Sequence, residues 1–262
     1  MTLLINRQTY NLIELDKVGS TNDYSKELIK SGCIRETVVV SKVQTSGRGR
    51  LSRSFVSSGD FGLWFTIVFF PRVNFQYLGM YGCIAALAVS NTIKKHYGID
   101  AKVKWPNDVE IRGKKVCGIL PESGIMNDVI EWAIVGIGVN ITPPDGGFGE
   151  ELKEKATSLS DHYDLVIQKK DLLDDIASGF FSMCDEISKG DVEKILDEMR
   201  EKSSILGRNV SLYIPDNKEP IATGKAVDFG SKGELIILSE HGETLSFNYG
   251  EVSLRLSTFE SR

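Results

Sequence analysis

Two runs rich in β-branched and aromatic residues, Thr37–Val43 and Phe61–Phe70, flank a stretch that neither a helix nor a strand can absorb: Gln44-Thr-Ser-Gly-Arg-Gly-Arg-Leu-Ser-Arg53. Glycine loses more backbone freedom on ordering than any other residue, so it weakens both helices and strands. A Gly-Arg-Gly-Arg run is poor core material and good loop material. Arg48, Arg50 and Arg53 supply planar guanidinium donors that match carboxylate and phosphate oxygens. Gly47 and Gly49 let the backbone approach a ligand closely. The stretch predicts a mobile loop that closes over an anionic small molecule, set at a sheet edge between two rigid strands.

The rest of the chain supports a small ligand over a polyanion. Its 262 residues carry a net charge of −5, so the arginines form a local positive island on an acidic protein. A nucleic-acid footprint is absent at whole-chain level. Cys33, Cys83, Cys117 and Cys184 form no C-x-x-C pair, and His96, His162 and His241 are scattered. Neither set has metal-ligand spacing, and the cysteines read as reduced thiols of a cytoplasmic protein. Met1–Tyr10 lacks the apolar core of a signal peptide. The longest apolar run, Leu63–Phe70, is too short to span a membrane.

Taken in order, Met1–Leu15 reads as one or two short strands. Ser20 or Thr21 is placed to cap a helix with Asp23 in its first turn and Gly32 at its end. The same helix start offers N–H and hydroxyl groups to a ligand. Leu78–Tyr97 is the most helical segment, ended by Gly98, and predicts the central helix on the sheet. Lys104-Trp-Pro-Asn-Asp108 ends a strand in a turn, since Pro106 holds Trp105 extended. Val109–Ile111 and Val116–Leu120 read as a hairpin around Arg112-Gly113. Gly118 inside a strand marks a close backbone approach. Val129–Ile141 is a long strand containing Gly136-Ile-Gly-Val-Asn140, where Asn140 needs a polar partner, either a ligand or a turn amide. Helices follow at about Lys169–Ser188 and Asp191–Lys202, the first with Leu172, Leu173, Ile176, Phe180, Met183 and Ile187 on one core-facing side. After a boundary near Ser203–Gly207, five short strands predict a small β-barrel.

Five stretches together carry a family resemblance. Gly19-Ser-Thr-Asn22, Gln44-Thr-Ser-Gly-Arg-Gly-Arg50 with Arg53, Lys104-Trp-Pro-Asn-Asp108, Gly113-Lys-Lys-Val-Cys-Gly-Ile-Leu120 and Gly136-Ile-Gly-Val-Asn140 follow one another as in biotin protein ligases of the monofunctional kind. The chain resembles that family over essentially its whole length. The resemblance implies an α/β (α+β) fold: a mixed-sheet catalytic domain like class II aminoacyl-tRNA synthetases over residues 1–204, and an SH3-like C-terminal domain over 205–262. It also implies two half-reactions. Biotin and ATP give biotinyl-5′-adenylate and pyrophosphate; the adenylate then biotinylates a lysine of a carboxylase's biotin carboxyl carrier domain.

By the same resemblance, Lys115 and Arg50 are the catalytic residues, stabilising negative charge where carboxylate meets α-phosphate. Ser20, Thr21, Asn22, Gln44, Gly47, Arg48, Gly49, Arg50, Lys115 and Gly118 form the biotin side. Arg50, Arg53, Phe55, Lys104, Trp105, Asn107 and Asn140 form the ATP side. Mg²⁺ is expected to screen the ATP phosphates. A homodimer is compatible with the family, and an exposed strand edge is the expected dock for the carrier domain. Gly19-Ser-Thr-Asn22 comes too early for a preceding winged helix, so DNA binding is not expected. The chain departs from the family at Leu51-Ser52, at Phe55 where tryptophan is common, at Ser57-Ser58 and at Pro121. These departures bear on adenine stacking and on hydrogen bonding at the strand edge. A lipoate-protein ligase, a non-catalytic biotin sensor and an RNA-binding Arg-Gly module are the alternatives.

Overall fold

β1 (Thr2–Ile5) and β2 (Gln8–Val18) pair antiparallel at one end of a large sheet. α1 (Thr21–Lys30) crosses over to β3 (Thr37–Gln44), which runs parallel to β2. β4 (Gly62–Phe69) returns antiparallel to β3. α2 (Leu78–Tyr97) then covers the sheet before β5 (Lys102–Lys104), β6 (Asp108–Ile111), β7 (Lys114–Met126) and β8 (Val129–Asn140) complete it. The eight strands lie in the order β1-β2-β3-β4-β8-β7-β6-β5, and β2–β3 is the parallel pair. This computed structural model describes residues 2–5, 8–50, 55–57, 59–164, 166–214, 217–248 and 253–256.

Local chemistry accounts for the turns. Arg112 and Gly113 both have positive φ (52° and 79°), as do Asn127 and Asp128 (50° and 62°). Such pairs suit tight hairpins because their twist matches that of the flanking strands. Gly98 ends α2 with φ 67° and its N–H on the Lys94 carbonyl, the left-handed helix stop.

Side chains alternate across strands, so the two faces of this sheet carry different residues. Leu63, Phe65, Ile67 and Phe69 of β4 and Val135, Ile137 and Val139 of β8 join one continuous core. α2 lies in that core with α3 (Lys169–Lys189) and α4 (Val192–Lys202). The residues between them in sequence, Trp64 and Thr66 on β4 and Gly136, Gly138 and Asn140 on β8, belong to the opposite face, where Asn22 of α1 packs against Gly136. No helix of the described residues is long and apolar enough to cross a membrane.

The C-terminal strands β9 (Asn209–Tyr213), β10 (Ala222–Phe229), β11 (Leu235–Leu238), β12 (Thr244–Phe247) and β13 (Ser253–Leu256) form an antiparallel sheet in the order β12-β11-β10-β9-β13. Five strands are expected and five are present, but the pairing is that of an open sheet, with no β12–β13 ladder among the described residues. Val210, Leu212, Leu235 and Ile237 extend the main core into it. Trp105 Nε1 donates to the Gly233 carbonyl at 2.9 Å. Gly233 has φ 83°, and a Cβ there would lie 3.1 Å from the Met80 nitrogen.

One expectation about strand edges needs correction, and one can be placed. The Gly-Arg loop does not lie at a sheet edge: β3 and β4 are interior neighbours, and the loop emerges from the end of the strands. Pro121 costs no ladder bond. Ile119 N–H donates away from β8, to the Asn107 carbonyl, so the nitrogen two residues on faces the same outward side. β6 pairs with β7 only as far as Gly118, so the Pro121 nitrogen lies past the end of that ladder, where strand prolines are tolerated, although the residue itself is buried.

Candidate active site

A cavity of about 560 Å³ opens on the glycine-bearing face of the sheet. Three backbone segments shape it. The start of α1 gives Ser20, Thr21 and Asn22; the Gly-Arg loop gives Arg48, Gly49, Arg50 and Phe55; β5 to β8 give Lys104, Trp105, Asn107, Lys115, Gly118 and Asn140. Gln44 joins them from the end of β3. Of the residues expected at the site, these line one space. Gly47 does not line it, and Arg53 lies outside the described residues, as do Leu51, Ser52 and Ser58.

Close approach explains the glycines. A Cβ on Gly136 would stand 2.2 Å from Asn22 Oδ1. On Gly138 it would be 2.8 Å from the Phe55 ring, and on Gly118 2.9 Å from that ring and 3.0 Å from Lys115 Nζ. Gly118 and Gly138 are cross-strand partners, so together they make a flat seat for Phe55. That ring also meets Trp64 edge-on, at 5.6 Å between centroids and 74° between planes. Gly47 is needed beneath the loop: a Cβ there would overlap Ser57 Oγ at 2.2 Å. The loop's two arms are joined by Gln44 N–H to the Ser57 carbonyl (2.8 Å) and Phe55 N–H to the Gly47 carbonyl (2.9 Å).

One side of the cavity is neutral and polar. Ser20 stands at the N-cap of α1 but its hydroxyl makes no capping bond, which corrects the capping expectation for that side chain. Thr21 uses its N–H and Oγ1 on Gln44 Oε1, at 2.8 and 3.0 Å, and Gln44 Nε2 donates to Ser57 Oγ. Thr66 Oγ1 donates to Asn22 Oδ1 at 2.7 Å and lies 2.8 Å from Thr21 Oγ1. The Asn22 Nδ2 donates to Glu122 Oε1 at 2.8 Å and to the Leu120 carbonyl at 3.2 Å. These buried amides are therefore fixed in orientation before any ligand arrives.

The other side is ionic. Lys115 Nζ lies 2.5 Å from Asp108 Oδ1, and Lys104 Nζ 2.6 Å from the buried Glu110 carboxylate. Arg50 donates to Asn107 Oδ1 at 3.1 Å, while Asn107 Nδ2 donates to the Ile119 carbonyl. The backbone of Lys115 is clamped by the following loop: its N–H donates to the Lys155 carbonyl, and its carbonyl accepts from Thr157 N–H. Asn140 Nδ2 donates to the Thr157 carbonyl at 3.0 Å, so its polar partner is a loop carbonyl. Trp105 is fully buried, and its one polar atom is turned to Gly233. Burial pushes the Cys117 thiol far up, so this neighbour of Lys115 is no nucleophile.

Sequence reasoning missed several of these partners. Asp108 stands in a stretch singled out for other residues, Glu122 in the Leu120-Pro-Glu122 stretch noted for its proline, and Thr66 and Glu110 carry no local signal. Only cross-strand register brings them to the site. Phe148, Leu152, Ala156 and Leu254 complete the apolar lining.

A rigid amide-lined recess next to ion-paired lysines and arginines suits a ligand with a neutral polar head and an anionic reacting end. Residues 15–140 match the family model described as the biotin/lipoate A/B protein ligase family. The chain is 32% identical over 170 residues to a biotin–[acetyl-CoA-carboxylase] ligase of Paracoccus denitrificans, covering 63% of this chain and 70% of that one. It is 39% identical over 150 residues to the bifunctional ligase/repressor BirA of Bacillus spizizenii, covering 57% of this chain but 46%, about half, of the relative's length. A solved structure of biotin protein ligase from Aquifex aeolicus, in complex with biotin and ATP, superposes with a TM-score of 0.78 at 32% identity, over 94% of this chain and 99% of that one.

Proposed function

This chain belongs to the biotin protein ligase family, and from that premise we propose that it activates biotin with ATP to biotinyl-5′-adenylate and transfers biotin to a lysine of a carboxylase's biotin carboxyl carrier domain. The observation that carries the proposal is the cavity itself, where Lys115, Arg48, Arg50 and Lys104 converge with the buried amides of Asn22 and Gln44.

Thr21, Asn22 and Gln44 take the ureido end, because their orientations are already fixed and a neutral ring needs donors and acceptors, not charge. Ser20 contributes a hydroxyl that no capping bond occupies. Gly49, and Gly47 beneath it, let the loop backbone close on biotin, with Gly118 keeping the floor flat. In the first step a biotin carboxylate oxygen attacks the α-phosphorus, and the bond to pyrophosphate breaks. Negative charge grows on the transferring phosphoryl group, and Lys115 and Arg50 stabilise it. The Asp108 contact aims the Lys115 ammonium before substrate binds, which lowers the cost of ordering it. Lys104, Asn107, Asn140 and Trp105 form the nucleotide side, with the Phe55 ring as an apolar platform for adenine; the family resemblance adds Arg53 as a phosphate-binding residue. Among the described residues no group of three or more ligating side chains gathers to hold a metal, so we assign Mg²⁺ to the ATP phosphates, as part of the nucleotide substrate.

The second step asks the enzyme to place a carrier lysine against the adenylate carbonyl and to exclude water. The open edge of β7 is the dock we assign to the carrier, and a homodimer would draw on the same kind of edge. Residues 205–262 act as an SH3-like cap, divided at about residue 204 from the catalytic domain. The four cysteines are free thiols, in keeping with a reducing compartment such as the cytoplasm.

Biotin-dependent ATP–pyrophosphate exchange tests the reading. Exchange in the native chain, lost in Lys115→Ala while biotin still binds, supports it. Exchange with lipoate or octanoate in place of biotin would move the chain to lipoate ligation, and no exchange with any acid would refute adenylation.

A further inference from the structure

One carboxylate oxygen serves both halves of the site. Glu122 Oε1 accepts from Asn22 Nδ2 and from Arg48 Nη2, each at 2.8 Å, and Glu122 Oε2 accepts from Lys26 Nζ at 3.1 Å. Asp23 holds the same two cations, Lys26 at 3.0 Å and Arg48 at 2.9 Å. Two acids and two bases thus close a neutral ring across α1, β7 and the Gly-Arg loop. Asn22 is only 4% exposed, and it is wedged against Gly136, where a Cβ would overlap its Oδ1. A carboxylate only accepts. Its presence on one side, and the Thr66 hydroxyl on the other, decides which end of the Asn22 amide points where.

We propose that Glu122 is a positioning residue for biotin activation: it orients the Asn22 amide and anchors Arg48 through the same oxygen, so ureido recognition and loop closure are coupled. The proposal rests on the ligase reading above. In Glu122→Gln a neutral amide can still accept from Asn22, but its NH₂ group faces Lys26 or Arg48 and the loop loses its anionic anchor. Arg48 then keeps Asp23 alone, at a more exposed position.

The test uses the full chain, with biotin titration, pyrophosphate exchange and the release rate of biotinyl-adenylate as readouts. Glu122→Gln is expected to raise the KM for biotin and the adenylate release rate each about tenfold, with a smaller, at most threefold, change in the kcat of exchange and a melting temperature near native. Release from the native protein should quicken with added salt, and release from Glu122→Gln, which keeps the Arg48–Asp23 pair, should quicken less in proportion. A double-mutant cycle of Glu122→Gln with Arg48→Ala should show overlapping losses, the pair no worse than the larger single change by more than about twofold. Lys30→Ala, which removes an exposed pair with Glu27, serves as the silent control. Additive losses in the cycle, or a Glu122→Gln protein with native KM and release rate, would overturn the coupling while leaving the ligase reading intact. A native chain without biotin-dependent exchange would sink the ligase reading itself, and this inference with it.

Discussion

β4 and β8 carry two unlike surfaces on their opposite faces. Toward α2 and α3 they present Leu63, Phe65, Ile67, Val135, Ile137 and Val139, all inside one apolar core. On the other face they carry Trp64, Thr66, Gly136, Gly138 and Asn140, of which Gly136, Gly138 and Asn140 line the cavity. The first face is held by many small, interchangeable contacts, in which burial of area matters more than the identity of a partner. The second is held by a few close approaches and directed hydrogen bonds, each dependent on the size and polarity of particular partners. Stability is concentrated on one face and chemistry on the other, although the same strands supply both.

Substitutions can break or sharpen that contrast. Phe180, fully buried on the helix side against Phe69 and Tyr81, should show the largest effect. Phe180→Ala is expected to lower unfolding free energy by about 4 kcal/mol in a urea titration, while the fraction that stays folded keeps its exchange rate. Lys115→Ala should do the reverse. Exchange falls about 10²–10³-fold with unfolding free energy changed by no more than about 1 kcal/mol; a matching loss of stability would dissolve the distinction. Next come two glycines. Gly136→Ala drives a Cβ into Asn22 and should weaken biotin affinity about tenfold or more, at a cost of about 1–3 kcal/mol in stability. Gly179, in α3, would meet Ala88 at an ordinary 3.6 Å, so Gly179→Ala should stabilise by about 0.5–1 kcal/mol. Calorimetric melting and biotin titration of both proteins measure the two signs.

The smallest effect is a pH dependence. Burial, and then the nearby Arg112, lower the His162 pKa, and its Nε2 lies 3.0 Å from Thr157 Oγ1. As pH falls below the unfolded value of about 6.5, the unfolded chain takes up a proton that the folded one resists. Stability is then lost until the folded pKa is reached. His162→Asn should flatten that part of the slope between neutral and mildly acidic pH, as read by urea unfolding at each pH.

The helix-side face was legible in the sequence because periodicity is local. Leu78–Tyr97 emerges with the bounds that its apolar spacing and Gly98 predict, and β4 with little change. The cavity face was legible only where motifs named its residues, and the partners of those residues were not. Glu122 meets Asn22 across 100 positions, and Trp105 meets Gly233 across 128; no window of sequence spans such distances. The loop's interior position was hidden for the same reason, since it follows from β4 pairing with β8 rather than from the β3–β4 connection itself. The open form of the small sheet likewise depends on which end strands pair, and strand spacing is silent on that.

Pro121 has a consequence for association. Beyond Gly118 the outer side of β7 meets no further strand of its own sheet, and Ile125 and Met126 stand exposed at its far end. A polypeptide laid along that side would find both Ile119 backbone groups already taken by Asn107 and no N–H at the buried Pro121. An uninterrupted ladder could not form. The same rail would arrest the runaway, register-independent growth through which bare strand edges seed fibrils. An incoming strand is left only with the backbone after Pro121, toward the exposed Ile125 and Met126.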